Sequence, residues 1–238
     1  MNKKLSVISE NIPSDKVKNQ QKINIFIDFE CISNPYYWGI YHSVEKQLRW
    51  LLPKKQIPIS FVIGNLKTNF YRHVISNFPI DKKYRKNFFK LLLREIKEVA
   101  GTKNLKRITF WAYQKLMEEE VLNYLLYEKV EVMEIKDKFP SPKIPKMCDL
   151  TEMTQKIIEN QEIFKSIKPK ILIKRQGALI CYLCFLLTVK RYPEIVSKEK
   201  FLNQIIDINE DIIIKNLEKY SESEIEFIKN NIVASDWK

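Results

Sequence analysis

Glycine, cysteine and histidine are scarce: 238 residues hold four glycines, four cysteines and two histidines. With hydrophobic residues at 45%, so little glycine points to a packed globule. Cys31, Cys148, Cys181 and Cys184 are too few and too unevenly spaced for a disulfide framework, which suits a reducing, cytoplasmic setting. Cys181 and Cys184 have the spacing of a zinc half-site, but no second pair follows and His42 and His73 lie far off in sequence, so they read as core thiols. Long apolar runs are missing too. The most apolar segment, ALICYLCFLLTV at 178–189, falls well short of the roughly 20 residues a bilayer span needs. Bracketed by Lys174-Arg175 and Lys190-Arg191, it is expected as a buried helix, with no membrane partner. Residues 1–22 lack the apolar centre of a signal peptide and are expected as a flexible basic arm, leaving 23–238 as one domain without internal repeats.

Acids are in deficit as well. Lys and Arg number 41 against 29 Asp and Glu, a formal charge of +12, which favours a polyanionic partner such as nucleic acid over an anionic membrane surface. A composition heavy in Lys, Asn and Ile also arises from biased base usage, so charge serves as support only.

The residues present spell out a mixed α/β order. Residues 23–30 read as a strand buried on both faces, 57–64 as a second, and 68–75 as a third joined to it as an antiparallel hairpin, with His73 as a sheet-surface residue. From Asp81 the period becomes helical, with Tyr84, Phe88, Leu91, Leu92 and Ile96 on one side and Lys82, Lys83, Arg85, Lys86 and Lys90 on or near the other, up to a stop at Gly101. A buried strand at 108–112, a helix at about 116–127 and a strand at 130–134 follow, so the later strands are expected to lie parallel. Pro140, Pro142 and Pro145 mark a loop, Asp149 caps a helix to about 160, 168–174 links it to the apolar helix, and a last helix runs from Ser221 to about 233.

The first strand ends in chemistry. In INIFIDFE (23–30), Asp28 and Glu30 project from one face because strand side chains repeat every two residues. Two carboxylates at the end of an apolar strand repel each other and lose hydration unless a cation joins them. Hard Mg²⁺ or Mn²⁺ accepts such oxygen ligands. The plain alternative is that both acids end the strand in water before Cys31-Ile32-Ser33-Asn34-Pro35 turns the chain away.

Further acids follow in order. Glu118 opens a helix behind a buried strand, and Glu224 lies on the last helix four residues after Tyr220, a spacing that puts both on one helical face. Each has a local alternative. Glu118-Glu119-Glu120 sits in a first helical turn, where the dipole favours acids, and Ser221-Glu222-Ser223-Glu224 has the form of a capping box.

In that order the motifs resemble the DEDD superfamily of 3′-5′ exonucleases. FIDFE (26–30) resembles its first acidic motif, and WAYQKLMEEEVL (111–122) its second as written in one uncharacterised bacterial branch, with Gln114 in the Asn place, Met117 in the Phe place and Glu118 in the acid's place. KMCDLTEM (146–153) is similar to that branch's hydrophobic-Asp-Leu element, with Asp149 auxiliary. YSESEIEFI (220–228) resembles the third motif in its tyrosine form, with Glu224 where Asp is commoner.

The resemblance implies an RNase H-like α/β fold: a mixed sheet, antiparallel over its first three strands and then parallel, flanked by helices and followed by a helical C-terminal part. It further implies a nuclease that uses two Mg²⁺ or Mn²⁺ ions on Asp28, Glu30, Glu118 and Glu224, with Tyr220 orienting water. Lys82, Lys83, Arg85, Lys86 and Lys90 would track the nucleic-acid backbone, and Tyr36, Tyr37 or Trp38 would stack on terminal bases. The alternative is a catalytically inactive RNase H-like module that binds nucleic acid or a protein partner.

Overall fold

Alternating β-branched and aromatic residues build strand β1 (Ile23–Ser33), which continues past Glu30. The computed structural model describes residues 22–33, 56–81, 83–113, 115–135, 176–193 and 208–231. Outside them lie most of the basic arm, Tyr36, Tyr37 and Trp38, Lys82, Gln114, the proline loop, the helix expected after Asp149 and the 168–174 link. Antiparallel to β1 runs β2 (Gln56–Asn65), and antiparallel to β2 runs β3 (Phe70–Ile75). Asn65 closes this hairpin: its side-chain oxygen accepts the N–H groups of Lys67 and Thr68 at 3.0 and 3.2 Å, while Asn69 turns through a left-handed φ of 54°.

The basic amphipathic helix is α1 (Tyr84–Ala100), stopped by Gly101 at φ 67°, whose N–H donates to the Lys97 carbonyl. Then come β4 (Ile108–Ala112), α2 (Lys115–Leu126), β5 (Val132–Glu134), α3 (Gln176–Arg191) and α4 (Glu210–Asn231). The sheet order is β3-β2-β1-β4-β5, with β1/β4 and β4/β5 parallel. This is the mixed α/β sheet expected from the pattern, and β1 lies at its centre.

The two faces of β1 differ. Ile25, Ile27 and Phe29 enter the larger core with Phe61, Phe88, Leu92, Leu122 and Leu187. The rings of Phe29, Phe61, Phe88 and Tyr84 follow one another there at centroid spacings of 5.6, 5.7 and 5.7 Å. Each fully buried phenylalanine of this kind contributes about 1.5–3 kcal/mol. The apolar segment is the buried helix α3, with Cys184 in the core and Cys181 packed against it. Among the described residues no helix is long and apolar enough to cross a membrane. On the other face Phe26, Val62, Leu66, Trp111 and Ile228 form a smaller cluster, with Tyr71, Tyr113 and Phe227 at its edge.

The last helix corrects the expected boundary, since it begins at Glu210 and not at Ser221. Asn209 supplies its cap, accepting the Asp211 N–H at 2.9 Å on its side-chain oxygen. Arg191 at the end of α3 holds Glu210 through Nε and Nη2, both at 2.7 Å, and donates to the Ser76 carbonyl at 3.2 Å. So anchored, α4 places Ile213 and Leu217 in the larger core and Ile225, Phe227 and Ile228 against the smaller cluster. Glu224 lies at the crossing.

Candidate metal centre

Three elements deliver the acids. On β1, Asp28 stands opposite Val62 and Glu30 opposite Ser60, and the ladder shifts between Glu30 and Cys31, a bulge that re-aims the end of the strand. α2 brings Glu118 in its first turn, and α4 brings Glu224 from mid-helix. One carboxylate oxygen from each of Asp28, Glu30 and Glu224 lies within 4.8 Å of the others. Glu118 shares a hydrogen bond with Asp28 and completes the group. Three of the four acids expected from the sequence, Asp28, Glu30 and Glu224, therefore share one spot, with Glu118 against Asp28.

They meet out of water. Glu30 is 7% exposed and Glu118 and Glu224 are 1% each, whereas Asp28 keeps part of its surface open. Burial pushes the Asp28 carboxyl up to about 6, against hydrogen bonds shared with Glu224, Glu118 and Glu30 that pull it down. Glu118 is pushed up to about 10, by burial first and then by the charge of Asp28. Burial holds Glu30 and Glu224 well above the usual carboxylate range too, with the Asp28 charge next in each case.

The Glu118 Oε2 and both Glu224 carboxylate oxygens are buried and, among the described residues, receive no hydrogen bond from outside the acid group. Among the described residues, the charges acting on Asp28, Glu30, Glu118 and Glu224 are those of one another, with no ammonium or guanidinium between them. Orphaned, oxygen-only donors around a shared carboxylate fit a hard divalent cation.

The capping-box alternative for Glu224 does not hold. Because α4 starts at Glu210, Ser221 lies inside the helix and no orphan amide is there to cap. Ser223 instead turns its hydroxyl back to the Lys219 and Tyr220 carbonyls at 2.7 and 3.1 Å, and Glu224 points inward. At α2 it is Glu134 that takes the helix end, accepting the Lys115 N–H at 3.2 Å. Glu118 keeps the first-turn place that the helix dipole favours, with its carboxylate against Asp28.

Tyr220, one turn before Glu224, is buried at the edge of the larger core. Met117 is partly buried against the same core. Lys83, Lys86 and Lys90 are exposed on α1, but that helix packs through Phe88 on Phe29, on the side of β1 away from Asp28. Arg85 is not exposed for phosphate: its guanidinium lies 3.7 Å from the ring centroids of both Tyr124 and Tyr127, and Nε donates to the Tyr124 carbonyl at 3.0 Å.

On the Asp28 side stand Tyr71, Tyr113 and His73, of which His73, expected as a sheet-surface residue, is partly buried. The Tyr71 ring lies across Gly64, where a Cβ would come within 1.9 Å of its Cδ1, and Lys229 sits 5.6 Å from that ring. His73 is in register with Val62, the partner of Asp28. Its Nε2 is buried without a partner, and burial lowers its pKa to about 4. Tyr113, directly after β4, packs on Phe26 and Phe227 at centroid distances of 6.1 and 5.5 Å. The only sequence signal for this group is position: Tyr113 falls inside WAYQKLMEEEVL, five residues before Glu118. No family model, no curated protein and no solved structure matches the chain.

Proposed function

We propose that this chain is a metal-dependent nuclease of the DEDD, tyrosine type, a 3′-5′ exonuclease that hydrolyses phosphodiesters of DNA or RNA. One observation carries the reading: carboxylates from β1, α2 and α4 converge, buried and without a counter-charge, around the partly exposed Asp28. Asp28 sits between the Glu30–Glu224 side and Glu118, so it is the group that two cations would share. Two Mg²⁺ or Mn²⁺ ions, when bound there, supply a nucleophile at neutral pH and neutralise charge on the leaving oxygen. Glu30, Glu118 and Glu224 hold their places through burial, which also excludes bulk water from the reacting end. Tyr220, on the same helical face as Glu224, is the tyrosine that the motif assigns to water orientation.

The formal charge of +12 draws a polyanion in from solution. The exposed Lys83, Lys86 and Lys90 add to that attraction away from the scissile end, while Lys229 is a cation on the Asp28 side. Cys31 and Cys184 are buried free thiols, in keeping with a cytoplasmic setting. An inactive binding module is the weaker reading, because it needs Glu224 turned away, and Glu224 is 1% exposed with both oxygens facing inward.

The test is degradation of an oligonucleotide labelled at its 3′ or its 5′ end, with Mn²⁺. The 3′ label should leave first as a mononucleotide while the 5′-labelled strand shortens stepwise, and Asp28→Asn should lower the rate by about 10³-fold or more. Absence of cleavage by the wild type, or equal cleavage by the variant, ends the nuclease reading.

A further inference from the structure

Tyr113 is amphipathic in an unusual place. Its hydroxyl oxygen is buried with no hydrogen-bond partner although the residue as a whole keeps some exposure. The inward direction follows from its packing: Phe26 precedes Asp28 by two on the same face of β1, and Phe227 follows Glu224 by three on the same face of α4. A ring packed on the neighbours of two site carboxylates lies on the same side of the sheet as the cluster, with its hydroxyl beyond hydrogen-bond reach of those carboxylates. Consistently, burial and then the charges of Glu224 and Asp28 hold its ionisation well above the ordinary tyrosine range, so it stays protonated, a donor without an acceptor.

A buried donor left unmade lowers stability, and phenylalanine would fill the same space without that cost. We propose that Tyr113 is a substrate-binding residue of the carboxylate site, whose hydroxyl donates a hydrogen bond to a phosphate oxygen of the nucleic-acid substrate. The inference rests on the nuclease reading above and adds to it a group from the end of β4. Glu118, Glu224, Asp28 and Glu30 accept hydrogen bonds and hold cations; none of them can donate to a phosphate while ionised. Tyr113 supplies that donor. The phosphate, drawn by cations into the cluster, supplies the acceptor that the metal-free protein lacks.

The test is Tyr113→Phe in the full chain, read by thermal melting and by calorimetric titration with thymidine or uridine 5′-monophosphate in the presence of Mn²⁺. Without metal the variant should melt at or above the wild-type temperature, and its Mn²⁺ affinity should stay within about twofold, since no carboxylate is touched. Its affinity for the monophosphates should fall by about tenfold or more, whereas the unphosphorylated nucleosides should show no difference between the two proteins. Equal monophosphate affinity, or a metal-free variant that melts well below wild type, overturns the assignment of Tyr113 alone. A wild type that takes up Mn²⁺ but binds neither monophosphate overturns it too. A wild type that takes up no divalent cation at all removes the nuclease reading and this inference together.

Discussion

Strand β1 carries two rows of side chains that answer to different demands. Ile25, Ile27 and Phe29 are fully buried and surrounded by carbon, and every contact they make lowers the free energy of the folded chain. Phe26, Asp28 and Glu30 share the opposite row, where one apolar residue gives way to two acids under desolvation. The strand backbone is common to both rows, so differences in stability and in function trace to side chains alone. A row kept at the expense of stability marks the working face.

Substitution should push the rows in opposite directions. Phe29→Ala removes a fully buried ring that touches Phe61 and Phe88, and should cost about 3–5 kcal/mol in chemical denaturation. Glu224→Gln removes a buried carboxylate whose only company is other acids, so the metal-free protein should hold steady or gain about 1–2 kcal/mol. The same variant should bind Mn²⁺ at least about tenfold more weakly by titration. If Glu224→Gln unfolds the protein as Phe29→Ala does, the two rows are not distinct and the carboxylate is structural.

Acidity sharpens the contrast further. Folded Asp28 holds its proton to about 6 against an ordinary 3.8, and Glu118 to about 10 against 4.5. Both folded values are raised, so between these limits the unfolded chain has released protons that the folded chain keeps, and rising pH favours unfolding. Without divalent metal, this contribution to stability is complete below the ordinary carboxylate values and is lost upward through pH 6 and on toward 10. A drop of at least about 2 kcal/mol is expected between about pH 5 and about pH 8.5 in the presence of chelator. Mn²⁺ should reverse the trend, because the acids must ionise to bind it and its stabilisation then grows with pH. A metal-free protein whose denaturation midpoint rises over that interval would show that these carboxylates are not held in their acid form.

Periodicity reports the buried rows well. The alternation of 23–30, the helical spacing from Tyr84 to Ile96 and the stop at Gly101 each encode a local shape, and the strands and helices form where those patterns lie. Asp28 and Glu30 are legible for a related reason, since a charge inside an apolar run conflicts with its surroundings, whereas Glu118 and Glu224 stand among other polar residues and are singled out only by their order along the chain and the motif resemblance. Two things are not legible. The start of α4 depends on Asn209 and on the long-range grip of Arg191 on Glu210, so the local SESE pattern imitates a helix start in mid-helix. Tyr113 and Tyr71 join the site only through the sheet's register and the space above Gly64, neither of which a single strand's pattern contains.

Helix α1 offers the same lesson in a smaller effect, because its basic residues look alike in sequence and differ in three dimensions. Arg85 is fixed between Tyr124 and Tyr127, and Tyr127 itself takes a left-handed φ of 58° just after α2 ends. A planar guanidinium can stack on both rings and still reach the Tyr124 carbonyl, and an ammonium cannot reproduce that fork, so Arg85→Lys should cost about 1–2 kcal/mol. Lys83, Lys86 and Lys90 extend into solvent, and replacing each with serine should change stability by no more than about 0.5 kcal/mol. If they attract nucleic acid, the triple variant should show a shallower dependence of binding on salt, by roughly 0.9 in the log–log slope for each phosphate that is no longer neutralised. An unchanged slope would leave α1 as packing alone and move the search for the backbone track to the Asp28 side of the sheet, where Lys229 stands over Tyr71.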